Sequence, residues 1–195
     1  MSQVGDSDIT SAIFTSPMTH FKKPLLMMGT ADGCLMVCNP DPDEDDGVVK
    51  MEQEYKKMFT NEEIGHICVK GNSVVFGGSQ SIICKYSIMH GDILPDADPD
   101  VVKTLSNPYG GITAIQMDED NNEGLIGTTQ GIICYINFKE QHVIPIVNKV
   151  DTAMEPIEHV LFDNNTTSSK VLFSNCGNSH GNLKMYTVST YDQVT

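Results

Sequence analysis

Apolar residues along this chain gather in short runs between polar turns, and the runs return in a fixed order. Four segments open on isoleucine: "ITSAIF" at Ile9, "IGHICV" at Ile64, "ITAIQM" at Ile112 and "IEHVLF" at Ile157. Each reads apolar, any residue, small or histidine, apolar, any residue, apolar. Their starts are 55, 48 and 45 residues apart. A second apolar run follows each one: "PLLMMG", "SVVFGG", "EGLIGT" and "KVLFSN". After a tight polar turn comes a third: "CLMVC", "IICKY", "IICYI" and "NLKMY". A fourth run appears three times, from Val48, Val101 and His142. Short runs rich in Val, Ile and Tyr and bounded by Gly, Asn, Asp or Pro are the pattern of strands. The stretch from Lys50 to Phe59 also suits an amphipathic helix, but its place as a fourth run predicts an outer strand.

A four-strand unit recurring every ~40–50 residues is the pattern of a β-propeller blade. Such a sheet cannot bury both faces alone, and stacking around an axis covers them. The second-to-third-strand turns carry Gly33 in "TADG", Gly131 in "TTQG" and Gly181 in "NSHG", while the second unit has "GSQS". Glycine suits these turns because it takes positive φ without steric cost.

On "GTADGCLMV", "GTTQGIICYIN" and "NSHGNLKMYT" the chain resembles the WD40-repeat family over nearly its whole length, Ile9 to Tyr186. Ile136 and Tyr186 stand where that family has Trp. The chain contains no Trp, and no Gly-His pair precedes a first strand. The segment "EGLIGTTQGIICYINF" is similar to blades of the cilia- and flagella-associated WD-repeat proteins, which implies an axonemal or basal-body scaffold. The predicted fold class is therefore all-β: a partial β-propeller of about four WD40-like four-stranded blades. Their bounds fall at about 9–60, 61–107, 108–151 and 152–195, after a polar tail, 1–8. The resemblance implies a ring of about seven blades, so four leave it open. The expectation is either a piece of a longer protein or a second chain that completes the propeller.

Charge narrows the partners. The 195 residues carry a formal net charge of −14, which argues against nucleic acid and anionic membrane surfaces. No apolar run approaches the ~20 residues of a spanning helix, and the start, "MSQVGDSD", lacks the features of a secretory leader. A cytoplasmic setting is expected. Cys34, Cys38, Cys68, Cys84 and Cys134 lie inside strand-like runs, where cysteine behaves as a small hydrophobe.

Two acidic loops fall between third and fourth strands of neighbouring units. Loop 40–47 contains Asp41, Asp43, Glu44, Asp45 and Asp46; loop 90–100 contains Asp96, Asp98 and Asp100. Both are candidate docking sites for a basic segment of another protein. Asp41, Asp43, Asp45 and Glu52 also approximate a calcium loop, but its sixth position is Asp46 and Gly47 comes one late. His66 and His159 share the third position of the first strand, where the other units have Ser11 and Ala114. A position that accepts all three types predicts packing. Nucleophile-elbow and phosphate-loop motifs are absent. The expectation is a non-enzymatic interaction scaffold without metal or cofactor. The alternatives are an enzyme on a propeller scaffold and an acidic calcium-binding module.

Overall fold

The computed structural model describes residues 7–15, 24–42, 49–58, 62–71, 73–87, 99–105, 109–147, 155–163, 169–176 and 182–189. These form fifteen strands in four antiparallel sheets. Blade 1 contains β1 (Ile9–Phe14), β2 (Leu26–Thr30), β3 (Cys34–Pro42) and β4 (Val49–Met58). Blade 2 contains β5 (His66–Lys70), β6 (Ser73–Gly77), β7 (Ile82–Ser87) and β8 (Val101–Thr104). Blade 3 contains β9 (Ile112–Met117), β10 (Glu123–Thr128), β11 (Ile133–Asn137) and β12 (His142–Val147). Blade 4 contributes β13 (Ile157–Asp163), β14 (Ser169–Cys176) and β15 (Asn182–Ser189). Every sheet is a meander in chain order. The first strands line up across the blades, β1 packing on β5, β5 on β9 and β9 on β13. Among the described residues there is no α-helix.

Why the runs are continuous rather than alternating follows from this stacking. A blade between two others is buried on both faces, so successive side chains enter different cores. On β6, Val74 and Phe76 pack toward blade 1, while Val75 packs toward blade 3. On β10, Ile126 faces blade 2 and Leu125 faces blade 4. On β11, Cys134 and Ile136 go to one core and Ile133 to the other. All eight residues are at most 1 % exposed. Full burial of such side chains is worth ~1.5–3 kcal/mol each, so burial between blades stabilises the fold.

The segment with helical character is the strand β4, paired with β3 from Cys34↔Met58 to Pro42↔Val49. The second unit's first strand starts at His66, with Ile64 just ahead of it. The tight turns differ in chemistry but share a conformation. Gly33 and Gly131 have φ of 82° and 73°, and the second unit places Ser81 there at φ 61°. The Ser81 hydroxyl donates to the Gly110 carbonyl, a bond that holds this non-glycine residue in the left-handed region. The turn glycine Gly181 lies outside the described residues.

Candidate functional site

Two kinds of feature on this scaffold bear on function: the blade-to-blade junctions and the end of the blades where the acidic connections leave.

Each junction is built from one residue pair. Gly29, Gly77 and Gly127 lie at the end of their second strands or one residue before it, and the isoleucine opening the next unit lies against each of them. A Cβ on Gly29 would stand 2.3 Å from the Ile64 carbonyl oxygen; on Gly77, 2.7 Å from Ile112 Cδ1; on Gly127, 2.6 Å from Ile157 Cγ2. No side chain fits at those distances, so glycine is what allows adjacent blades to approach. Ile64, Ile112 and Ile157 are accordingly 1 %, 4 % and 0 % exposed. Polar bonds fix the approach. The amide of Ile64 donates to the Thr30 carbonyl at 3.1 Å, and that of Ile112 to the Gly78 carbonyl at 2.9 Å. Thr10 and Ser11 hydroxyls donate to the Ile64 carbonyl at 2.8 and 2.7 Å, and Thr113 donates to the Ile157 carbonyl at 2.5 Å.

Blades 2 and 3 have a further strap. Asn121, fully buried at φ 53°, donates from Nδ2 to the Ser73 carbonyl at 2.8 Å and the Lys70 carbonyl at 3.4 Å. Lys85 Nζ reaches Asn122 Oδ1 at 3.0 Å and lies 5.5 Å from the centre of the Phe138 ring. Burial pushes the Lys85 ammonium below its usual range, and Asp118 and Asp100 oppose that shift.

In a meander, first-to-second and third-to-fourth connections leave one end of the sheet. The strand ends leading into 43–48 and 88–100 therefore share an end with the turn after β9. That turn carries Asp118, Glu119 and Asp120; Asp118 Oδ1 accepts the amides of Asn122 at 2.7 Å and Glu123 at 3.1 Å. Asp100, exposed before β8, accepts the Ser87 amide at 2.5 Å. Asp41 departs from the loop expectation. It is in β3, paired in register with Lys50 of β4, because the ladder continues through Pro40 and Pro42. Asp43, Glu44, Asp45, Asp46, Asp96 and Asp98 lie outside the described residues. The sequence reading passed over Asp118, Glu119, Asp120 and Asn121, although "DEDNN" is itself a polar, acidic run.

The shared histidine position resolves into two environments. His66 is half-buried, and burial holds its imidazole below the usual range; Glu63 opposes this and the charge of His159 adds to it. His159 is exposed on β13, not packed as its position in the repeat predicts; among the described residues no blade follows blade 4. Cys84 and Cys134 are buried, with thiols pushed up to about 12, and Cys68 is raised for the same reason. These thiols pack and do not act as nucleophiles at neutral pH. Among the described residues no group of three His, Cys, Asp or Glu side chains could hold a metal ion.

No protein-family model matches the chain, and no curated protein sequence matches it significantly. Solved structures do match in shape. The computationally designed Ika4 protein superposes with a TM-score of 0.65 at 16 % identity, over 96 % of this chain and 95 % of that one. The computationally designed Ika8 protein gives 0.63 at 17 % identity, over 96 % of this chain and 48 % of that one. A chain of the Mitotic Checkpoint Complex gives 0.63 at 10 % identity, over 91 % and 48 %. The chain thus spans nearly all of the first and about half of the other two. At these identities the likeness shows the fold alone, and with the four stacked meanders it defines the class: a partial β-propeller.

Proposed function

We propose that this chain is a protein-interaction scaffold of WD40 type, a partial propeller that is part of a larger WD40 protein or of a multi-protein assembly. The observation that carries the reading is the first blade's edge. Ile9 occupies the position of Ile64, Ile112 and Ile157, yet it is 52 % exposed, and Phe14 on the same strand is 63 % exposed. Among the described residues no blade covers this isoleucine, whose counterparts lock every interior junction. Function in this reading is presentation of rigid loops and edges to other proteins, with a non-catalytic role. Protein partners fit a chain whose net charge of −14 opposes nucleic acid. The acidic end supports docking of a basic segment. The likeness of one blade to cilia- and flagella-associated proteins supports an axonemal or basal-body setting within the cytoplasm.

Affinity capture of the tagged chain from ciliated cells tests the proposal. It is supported by partners in stoichiometric yield whose binding is lost with Ile9→Asp or weakened by salt. It fails if the chain elutes alone under gentle conditions and β1 resists hydrogen exchange in the isolated protein.

A further inference from the structure

The third and fourth strands of blade 1 run on past the rest of the blade. β2 pairs with β3 from Gly29↔Leu35 to Leu26↔Cys38, and the β3–β4 ladder continues beyond a bulge through Asn39↔Glu52, Pro40↔Met51, Asp41↔Lys50 and Pro42↔Val49. Over that stretch the sheet is a two-stranded ribbon, and each strand has one edge that no described strand covers. The two edges are not equal. Proline has no amide hydrogen, so Pro40 and Pro42 take the positions whose amides would point away from β4, while Asn39 and Asp41 exchange hydrogen bonds with Glu52 and Lys50. The outer edge of β3 is thereby stripped of donors at two alternate positions. On β4 the same alternation turns the amides and carbonyls of Val49, Met51 and Gln53 outward.

The outermost strands of blades 2 and 3 are blunted: β8 is 4 residues long, and β12 carries Pro145. β4 has 10 residues with neither proline nor glycine, which makes its outer edge a template for a further strand. The order of its residues says which strand fits. Val49–Gln53 reads V-K-M-E-Q. Laid antiparallel on a second copy of itself about Met51, it sets Met51 across from Met51, Val49 across from Gln53, and Lys50 across from Glu52 twice. Opposite charges at opposed positions favour such a pair, whereas parallel in-register alignment sets lysine on lysine and glutamate on glutamate. The outward backbone groups of Val49, Met51 and Gln53 are matched in the same register, each residue donating once and accepting once. Because the strands are antiparallel, the two blades leave the joint in opposite directions. We propose that the ribbon of blade 1 joins two copies of this chain by antiparallel, edge-to-edge pairing of Val49–Gln53. The joint uses the outer rim of blade 1, apart from the first strand on which Ile9 lies, so it does not depend on what covers that strand.

Sedimentation equilibrium of the full chain tests it at ~0.15 M salt, where a screening length of about 8 Å limits the repulsion between two chains of charge −14. An interface this small is expected to give a reversible dimer with Kd on the order of 10–100 μM. Met51→Pro removes an outward amide and leaves the β3 ladder its bonds. It should keep the wild-type circular dichroism and raise Kd at least ~10-fold. Glu52→Lys and Lys50→Glu each set like charges across the joint, and each alone should weaken self-association at least ~3-fold. Mixed in equal amounts, these two variants should form a heterodimer at least as tight as the wild-type dimer, since both charged positions again oppose lysine to glutamate. A wild type that stays monomeric up to ~1 mM overturns the proposal. So does a folded Met51→Pro that dimerises like wild type, or a mixture that associates no more tightly than its separate components. If Met51→Pro does not fold, the charge-swap mixture decides alone, because it leaves the backbone unchanged.

Discussion

Gly127→Ala is the sharpest test of how the blades are held together. In an ordinary strand the change is neutral or favourable: alanine restricts the unfolded chain and gains ~0.4–1 kcal/mol where the native backbone accepts it. The structure predicts the opposite sign. The new methyl would stand 2.6 Å from Ile157 Cγ2, 2.7 Å from Ile157 Cβ and 3.3 Å from the Ala114 Cβ. Relieving the first contact takes a shift of roughly 1 Å, and Ile157 is fully buried with its carbonyl tied to Thr113. Overpacking of this kind costs ~1–3 kcal/mol, which exceeds the backbone gain. A net loss of ~1–2 kcal/mol lowers the melting temperature of a chain this size by about 2–8 °C. Gly65→Ala is the matched control, because its Cβ would meet only the Glu63 carboxyl at 3.5–3.8 Å. Urea unfolding read by circular dichroism should move the midpoint down for Gly127→Ala and leave it level or slightly up for Gly65→Ala. If Gly127→Ala matches or exceeds wild type, the isoleucine-on-glycine junction is not what spaces the blades.

Two further substitutions follow from local chemistry. At Ser81 the strain of a left-handed serine and its bond to Gly110 oppose each other. Ser81→Gly should be nearly neutral in urea unfolding, whereas Ser81→Ala keeps the strain, loses the bond and costs ~1–2 kcal/mol. His66 titrates below its unfolded value, so its contribution to stability is present above about pH 6.5 and is lost as pH falls through the folded value. Comparing wild type with His66→Gln from pH 7.5 to 5 should show a steeper loss in wild type; parallel curves would contradict the assignment.

The strands were legible because both faces of each inner blade are buried, which turns alternation into short continuous apolar runs. Isoleucine at the head of each unit marked the repeat for the same reason: at the interior junctions it is the residue buried against the preceding blade. The glycine near the end of the first three second strands was visible too, in "MMGT", "VFGG" and "LIGT", but it read as a strand boundary. Its role depends on an isoleucine about 30 or more residues away, a contact no local pattern encodes. Ser81 was illegible as a left-handed residue because its compensating partner, Gly110, lies in another blade's approach. Pro40 and Pro42 suggested a loop, yet the long β3–β4 ladder carries the strand through them and takes Asp41 out of the acidic connection. Asn121 gave no local signal, since only stacking brings its amide onto the Lys70 and Ser73 carbonyls.

The open edge of the arc is the central claim, and thiol labelling measures it most directly. Ile9→Cys, Ile64→Cys, Ile112→Cys and Ile157→Cys place one probe at the same position of each blade, against native thiols such as Cys84 and Cys134 that are buried. Under native conditions Ile9→Cys should react at close to the rate of an unfolded thiol. The other three should be slower by at least ~100-fold, reacting only when the blades open. Equal protection at all four positions would mean that the first blade is already covered, and would contradict the half-propeller.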